Sequence, residues 1–374
     1  MEATATRPIP LLDLQSQHRP IRDEVLAEIV KVIDSQRFGL GPETQGLEQE
    51  IAAYCGAQHA IGCANGSDAL VLALLALDLE PGDEVLTVPF TFFATAGAVS
   101  RSGARPVFAD VDPDTFNIGV GHAKRVLDAH PRVKAMIPVH LYGQCADMDP
   151  LMAMARERGI AVIEDFAQAI GAEYKGRRAG GIGDMGTLSF YPTKNLGAYG
   201  DAGMLTTNDE GLRKKLAALR EHGGAETYVH KWVGFNSRLD AIQAAVLRVK
   251  MRYLDGWTAA RQRNAELYSR LLRAPVIVPK SAPYTTRHIF NQYVIRVPRR
   301  DALREHLKQI GIGTAVYYPL ALHLQECFAN LGYKSGDFPV SEQLSHEVLA
   351  LPIYAELTTE QVEQVAAAIN AFFG

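Results

Sequence analysis

The stretch "AVIEDFAQAIGAEYKGRRAGGIGDMGTLSFYPTKNLGAYGDAGMLTT", residues 161–207, decides the fold. It holds three short runs, "AVIED" (161–165), "TLSFY" (187–191) and "GMLTT" (203–207), rich in β-branched or aromatic residues, several of them ending at turn formers. That is the pattern of buried strands. Upstream, "EVLTV" (84–88), "PVFAD" (106–110) and "VKAMIPVHLY" (133–142) repeat it. Helical patterns lie between them at Asp68–Leu79, His122–Ala129, Asp149–Arg158 and Asp209–Glu221. Strand–helix alternation on this scale predicts an α/β protein whose mainly parallel sheet is sandwiched by helices.

Downstream the alternation stops. "NSRLDAIQAAVLRVKMRYL" (236–254) places Leu239, Ile242, Val246, Val249 and Tyr253 at spacings of three and four, which predicts one amphipathic helix with a solvated basic face. After "LDGW" (254–257) the chain reads as a further helix, the segment "FNQYVIRV" (290–297), a helix from Asp301, "TAVYYP" (314–319) and a last helix from Thr359. This predicts a large domain over residues 1–250 and a smaller C-terminal α+β domain over 251–374. No Pro/Gly/Ser-rich linker separates them, so close packing is expected.

Of the 374 residues, 47% are hydrophobic and 21% charged, which describes a soluble globular chain with a sizeable core. A formal charge of −4 gives no reason to expect nucleic-acid binding. "MEATATRPIPLLDL" has no basic segment leading into an apolar one, and the longest apolar run, "ALVLALLAL" (69–77), is far short of a membrane span. Neither a signal peptide nor a membrane helix is expected, and the four unpatterned cysteines fit a reduced, cytoplasmic setting.

Two motifs mislead. "GIGDMG" (181–186) satisfies G-x-G-x-x-G, yet it follows a polar turn and runs into a strand, so no helix N-terminus is in place to receive a dinucleotide phosphate. "DVDPDTFN" (110–117) begins like a calcium loop, but Thr115 stands where the sharp turn needs Gly and Gly121 where the bidentate Glu belongs. A Pro-Asp turn is expected there, and no metal site anywhere.

The chemistry gathers at strand ends, where open parallel sheets place their sites. Asp165 ends one strand, with Gln168 just beyond, and a buried carboxylate needs a cationic partner. "CANGSDAL" (63–70) is a tight turn opening a helix, so the amides and hydroxyl of Gly66, Ser67 and Asp68 can cradle a phosphate. "PFTFFAT" (89–95) offers aromatic faces, and Ser189 lies five residues before Lys194. Each feature alone reads as a cap, a turn or a solvated cation. Ordered along one sheet, a phosphate cradle, an aromatic plate, a carboxylate and a lysine are what pyridoxal phosphate requires. Burial can lower a lysine from its usual pKa of about 10.4 and so make it a nucleophile.

The block "VIEDFAQAIGAEYKGRRAGGIGDMGTLSFYPTKNLGAYGDAGMLTTND" (162–209) resembles the signature stretch of the DegT/DnrJ/EryC1/StrS sugar aminotransferases, and "RFGLGPE" (37–43), "PVHLYGQCADMD" (138–149), "GFNSRLDAIQAA" (234–245) and "YYPLALHLQ" (317–325) extend the resemblance nearly end to end. It implies a fold-type-I aminotransferase dependent on pyridoxal 5'-phosphate and acting on nucleotide-linked keto sugars. It further implies that Lys194 forms the Schiff base and shuttles the proton, Asp165 pairs with the pyridinium nitrogen and Gln168 contacts the phenolic oxygen. Phe92 takes the stacking position, and Gly66, Ser67 and Ser189 hold the phosphate. Asn236 reaches the phosphate of the neighbouring subunit in a homodimer with shared sites, and Arg238 clamps the carboxylate of the amino donor, L-glutamate. Tyr317, Tyr318 and His323 contact substrate, although relatives often carry His at the position of Tyr317.

The expected product is an amine at C3 of a UDP- or dTDP-linked keto sugar, for a surface polysaccharide or a glycosylated metabolite. "LYGQCADMD" and "NSRLD" favour UDP, while "SFYPTKNLGAYGDAG" favours dTDP. A C4-keto acceptor, or a pyridoxal phosphate-binding protein that is no aminotransferase, are the alternatives.

Overall fold

A computed structural model describes residues 8–226 and 228–374; the first seven residues of the stretch read for a targeting signal lie outside it. Seven strands form the central sheet: β1 (His59–Cys63), β2 (Glu84–Thr87), β3 (Arg105–Phe108), β4 (Val133–Met136), β5 (Ala161–Asp165), β6 (Met185–Ser189) and β7 (Gly203–Thr207). Their order across the sheet is β1-β7-β6-β5-β4-β2-β3, and β7 alone runs antiparallel to its neighbours. The fold is thus the expected α/β arrangement, a mainly parallel sheet with helices packed on it and two large apolar clusters.

Several boundaries differ from the sequence reading. "VKAMIPVHLY" is not one strand: β4 stops at Met136, because Pro138 has no N–H for the ladder. Only the Val139–Asp165 bridge continues the pairing before Tyr142 turns the chain at φ 58°. The expected amphipathic helix over 236–254 is shorter, since residues through Asp240 are extended and a helix runs only over Ala241–Met251. The next helix, Leu254–Leu271, already contains "LDGW", so the break falls at Arg252 and Tyr253.

The sequence reading did not single out the helices Arg22–Ser35 and Pro42–Cys55, strand β1, or the pairing of β8 (Tyr293–Arg296) with β9 (Val348–Leu351). That last pair and the helices Leu254–Leu271, Arg300–Gln309 and Thr359–Phe373, joined by Ile9 from the N-terminal segment, enclose a further apolar cluster.

The two misleading motifs resolve clearly. The "GIGDMG" loop is an anion nest, but its anion is internal: the amides of Gly180, Ile182 and Gly183 donate to the buried Glu164 carboxylate at 3.0, 2.7 and 2.7 Å. "DVDPDTFN" is the expected turn, in which Asp112 accepts from the amides of Asp114 and Thr115 at 3.0 and 2.9 Å. Asp110 instead caps the helix Pro339–Glu347, accepting from the amides of Val340 and Ser341 at 2.9 and 3.0 Å. Among the described residues no group of histidine, cysteine and carboxylate side chains is placed to hold a metal.

Candidate active site

Three strand ends and the helix starts beside them converge at the C-terminal edge of the sheet. β5 delivers Asp165, β6 delivers Ser189, and β1 leads into the helix Gly66–Leu75. Asn65 caps that helix, its Oδ1 accepting from the Asp68 amide at 2.8 Å. The amides of Gly66 and Ser67 then belong to the first turn, which has no intrahelical acceptor for them.

Two glycines allow the helix start to come this close. A Cβ on Gly66 would lie 2.5 Å from the Ser189 Cβ, and one on Gly203 would lie 2.4 Å from the carbonyl of Asn65. No side chain fits in either place, so the helix start and Ser189 meet at one point. Asp68 itself turns away from this point, its carboxylate accepting from the Ser237 hydroxyl at 2.7 Å.

The helix Phe93–Arg101 supplies the next wall. Phe92 precedes it with 57% of its surface exposed, and Thr95, one turn on, donates its hydroxyl to Asp165 Oδ2 at 2.8 Å. The Ala167 amide donates to Asp165 Oδ1 at 3.2 Å. Burial raises the Asp165 pKa despite these two bonds and the nearby Lys194 charge. Lys194 sits on the loop after β6, where its amide donates to the Tyr191 carbonyl at 2.8 Å. Burial lowers its pKa to about 8, against the pull of Asp165. At pH 7 roughly a tenth of such an amine is unprotonated, against well under a thousandth for a free lysine.

Gln168 is held by both ends of its amide. Oε1 accepts from the Tyr142 amide at 2.8 Å, and Nε2 donates to the Tyr318 hydroxyl at 3.2 Å. The Tyr142 hydroxyl in turn donates to the Tyr317 carbonyl, so Tyr317 and Tyr318 are fastened over the same edge. The rings of Phe92 and Tyr318 are 6.4 Å apart.

Three expected residues stand apart from this cluster. His323 is almost fully buried, with Nε2 against Glu342 Oε1 at 3.1 Å and its ring edge-on to Phe338 at 4.7 Å. Those contacts tie it to the helix Pro339–Glu347 and the residue before it. Asn236 and Arg238 are exposed, and among the described residues neither side chain has a hydrogen-bond or ion-pair partner.

The structure adds residues the sequence reading passed over. Thr95 reaches Asp165, and Thr91 stands 3.2 Å behind it. His140 takes the Ala146 amide on Nδ1 at 3.1 Å, so its Nε2 carries the proton and donates to Glu164 at 2.9 Å. Asn195, next to Lys194, accepts from Asn291 Nδ2 at 2.8 Å and donates to the Ile289 carbonyl at 3.2 Å. "TFFAT" does put a hydroxyl one helical turn after Phe92, which was the available signal for Thr95. The others depend on contacts made only in three dimensions.

A pyridine ring carrying a phosphate fits what is present. The glycine-cleared cradle suits the phosphate, the open Phe92 face suits the ring, and a buried carboxylate short of donors suits a protonated ring nitrogen.

Comparison with known proteins agrees. The DegT/DnrJ/EryC1/StrS aminotransferase family matches residues 20–370. A protein of Geobacillus stearothermophilus named pleiotropic regulatory protein is 49% identical over 98% of both chains. The UDP-N-acetyl-3-dehydro-alpha-D-glucosamine 3-aminotransferase of Acidithiobacillus ferrooxidans is 44% identical, again over 98% of both. Among solved structures, S. venezuelae DesV in complex with a ketimine intermediate superposes with a TM-score of 0.95 at 40% identity, covering 98% of this chain and 99% of that one.

Proposed function

We propose that this chain, which belongs to the DegT/DnrJ/EryC1/StrS aminotransferase family and is a pyridoxal phosphate-dependent aminotransferase, moves the amino group of L-glutamate to the C3 keto group of a nucleotide-linked sugar. The observation that carries the reading is the pair of opposite charges without an ion pair between them, the buried Asp165 and the half-buried Lys194, beside the cradle at Gly66 and Ser189. When bound, the cofactor provides an electron sink for the carbon that loses its proton.

The chain's own residues do the rest. Lys194 would hold the cofactor through its amine, and the same amine would carry the proton between the donor and acceptor carbons. Asp165, kept charged by the cation it faces, holds the proton on the ring nitrogen. Gly66, Ser67 and Ser189 bind the phosphate, Phe92 covers one ring face, and Gln168 orients the phenolic oxygen. Tyr317 and Tyr318 line the sugar's approach.

The bare exposure of Asn236 and Arg238 supports a homodimer in which this segment completes the neighbour's site, Asn236 on the phosphate and Arg238 on the glutamate carboxylate. Nearby, Phe235 and Val233 are exposed too, as are Leu26, Val30 and Ile33 on one face of the helix Arg22–Ser35. The apolar cluster of the C-terminal elements supports a domain division near residue 251. Among the described residues no helix is long and apolar enough to cross a membrane; a cytoplasmic enzyme serving aminosugar synthesis for a surface polysaccharide or glycosylated metabolite is the setting we propose. The acceptor most in keeping with the 44%-identical relative is a UDP-linked 3-keto sugar.

The test begins with L-glutamate alone. Loss of the visible absorption, together with one 2-oxoglutarate per site, is expected. UDP-linked 3-keto, dTDP-linked 3-keto and C4-keto sugars are then compared as acceptors. Visible absorption that glutamate leaves unchanged would refute the donor, and turnover of the C4-keto sugar alone would refute the acceptor.

A further inference from the structure

A second lysine, buried more deeply than Lys194, grips the same loop. Lys250, on the helix Ala241–Met251, is 3% exposed, and its ammonium donates to the carbonyl of Gly197, three residues beyond Lys194. It also lies 5.3 Å from the centre of the Tyr199 ring. Burial lowers its pKa to about 8, with Glu356 opposing.

The loop it grips is closed on itself. The Ala198 amide donates to the Phe190 carbonyl at 2.7 Å, and the Lys194 amide to Tyr191 at 2.8 Å. A Cβ on Gly197 would lie 2.3 Å from the Pro192 carbonyl oxygen, so residues 192–197 are folded as tightly as a backbone allows. The Gly197 carbonyl of this folded loop is the one that Lys250 takes. Tyr199, just beyond, is tied by its backbone to Gln243 on the same helix at 2.8 Å and by its hydroxyl to His18 at 2.5 Å. Burying an ammonium for one hydrogen-bonded carbonyl, one ring face and the distant pull of Glu356 is costly, and a methionine would fill the same space.

We propose that Lys250 is a positioning residue for Lys194: by fixing the Gly197 carbonyl it holds the loop in the pose that keeps the Lys194 amine out of water beside Asp165. The inference rests on Lys194 being the reactive amine, as argued above. It predicts that the environment of Lys194 depends on Lys250 even in the protein without cofactor.

The experiment is pH-dependent modification of Lys194 by an amine-reactive reagent in cofactor-free protein, followed by peptide mass mapping. The wild-type chain should show a midpoint near the lowered pKa of about 8. In Lys250→Met, with thermal unfolding confirming a folded chain, the midpoint should rise by at least about one pH unit toward the free-lysine value. Lys250→Gln, whose amide falls about one bond short of the carbonyl, should move it the same way by less; this variant serves if Lys250→Met fails to fold. A merely structural role would lower the unfolding temperature and leave the midpoint in place. A midpoint unmoved in either folded variant overturns the proposal. A wild-type midpoint near that of a free lysine would instead sink the reading of Lys194, so the two failures are distinguishable.

Discussion

Strand β5 ends in two adjacent carboxylates that face opposite sides of the sheet and have opposite fates. Burial would raise both. Glu164 is answered by four donors, His140 and the amides of Gly180, Ile182 and Gly183, and its pKa falls below the usual value. Among the described residues Asp165 receives only Thr95 and Ala167, and its pKa stays raised. A carboxylate that serves the fold is saturated by the fold. One that serves a ligand is left short of partners, and the missing partner is a cation.

The largest effect should come from removing the lysine that shares Asp165's side. Lys194→Ala should lower transamination by at least about a thousandfold and abolish the visible absorption that appears on adding cofactor. Comparable turnover in this variant would end the distinction between the two faces.

Exchanging the charges one at a time tests the comparison directly. Asp165→Asn should reduce turnover by about a hundredfold or more, with an unfolding temperature no lower than wild type. Glu164→Gln leaves three amides and a histidine without their anion and should cost on the order of 3 kcal/mol of stability, while turnover per folded molecule stays within about threefold. The signs with pH are opposite too. The depressed pKa of Glu164 gives stability that is present above its unfolded value and lost as pH falls through the folded one. Asp165, raised in the folded state, takes up its proton earlier there, so protonating it favours folding. Glu164→Gln should therefore flatten the acid loss of stability and Asp165→Asn should steepen it, measured by urea unfolding across pH 3–6 on the cofactor-free protein. Interchanged effects would break the assignment.

A smaller effect is expected where the site is incomplete within one chain. Arg238→Ala should raise the KM for glutamate about tenfold and change stability by less than about 0.5 kcal/mol, because an exposed and unpartnered side chain has little to lose. Wild-type KM would remove this segment from the site.

The legible parts of this molecule are the local ones. β5, β6 and β7 and the residues at their ends lie within one stretch, 161–207, so a pattern of short apolar runs placed Asp165, Ser189 and Lys194 together. What stayed hidden depends on partners far along the chain. Thr95 meets Asp165 across 70 residues, and Lys250 meets Gly197 across 53. Strand β9, "VLAL", is recognisable only through its pairing with β8. Glu164 was noticed beside Asp165, but nothing in the sequence says that a glycine-rich loop would spend its amides on it. Pro138 could have been read as ending β4, and Asp240 as the residue before a helix.

The least effect belongs to His323, where the likeness of a motif and the packing of a side chain disagree. Within "YYPLALHLQ" it sits among residues implied to touch substrate, yet its Nε2 faces Glu342 and its Nδ1 is buried without a partner among the described residues. Burial lowers its pKa while Glu342 pulls the other way. A histidine of this kind resists protonation in the folded state, so stability should fall as pH drops below its unfolded value of about 6.5, where the unfolded chain takes the proton first. His323→Gln can still donate to Glu342 but cannot titrate. It should keep the sugar KM within about twofold of wild type and show a shallower loss of stability between pH 7 and 5. A tenfold rise in the sugar KM would return His323 to the substrate's side of the molecule and show that the ring leaves Glu342 when the acceptor binds.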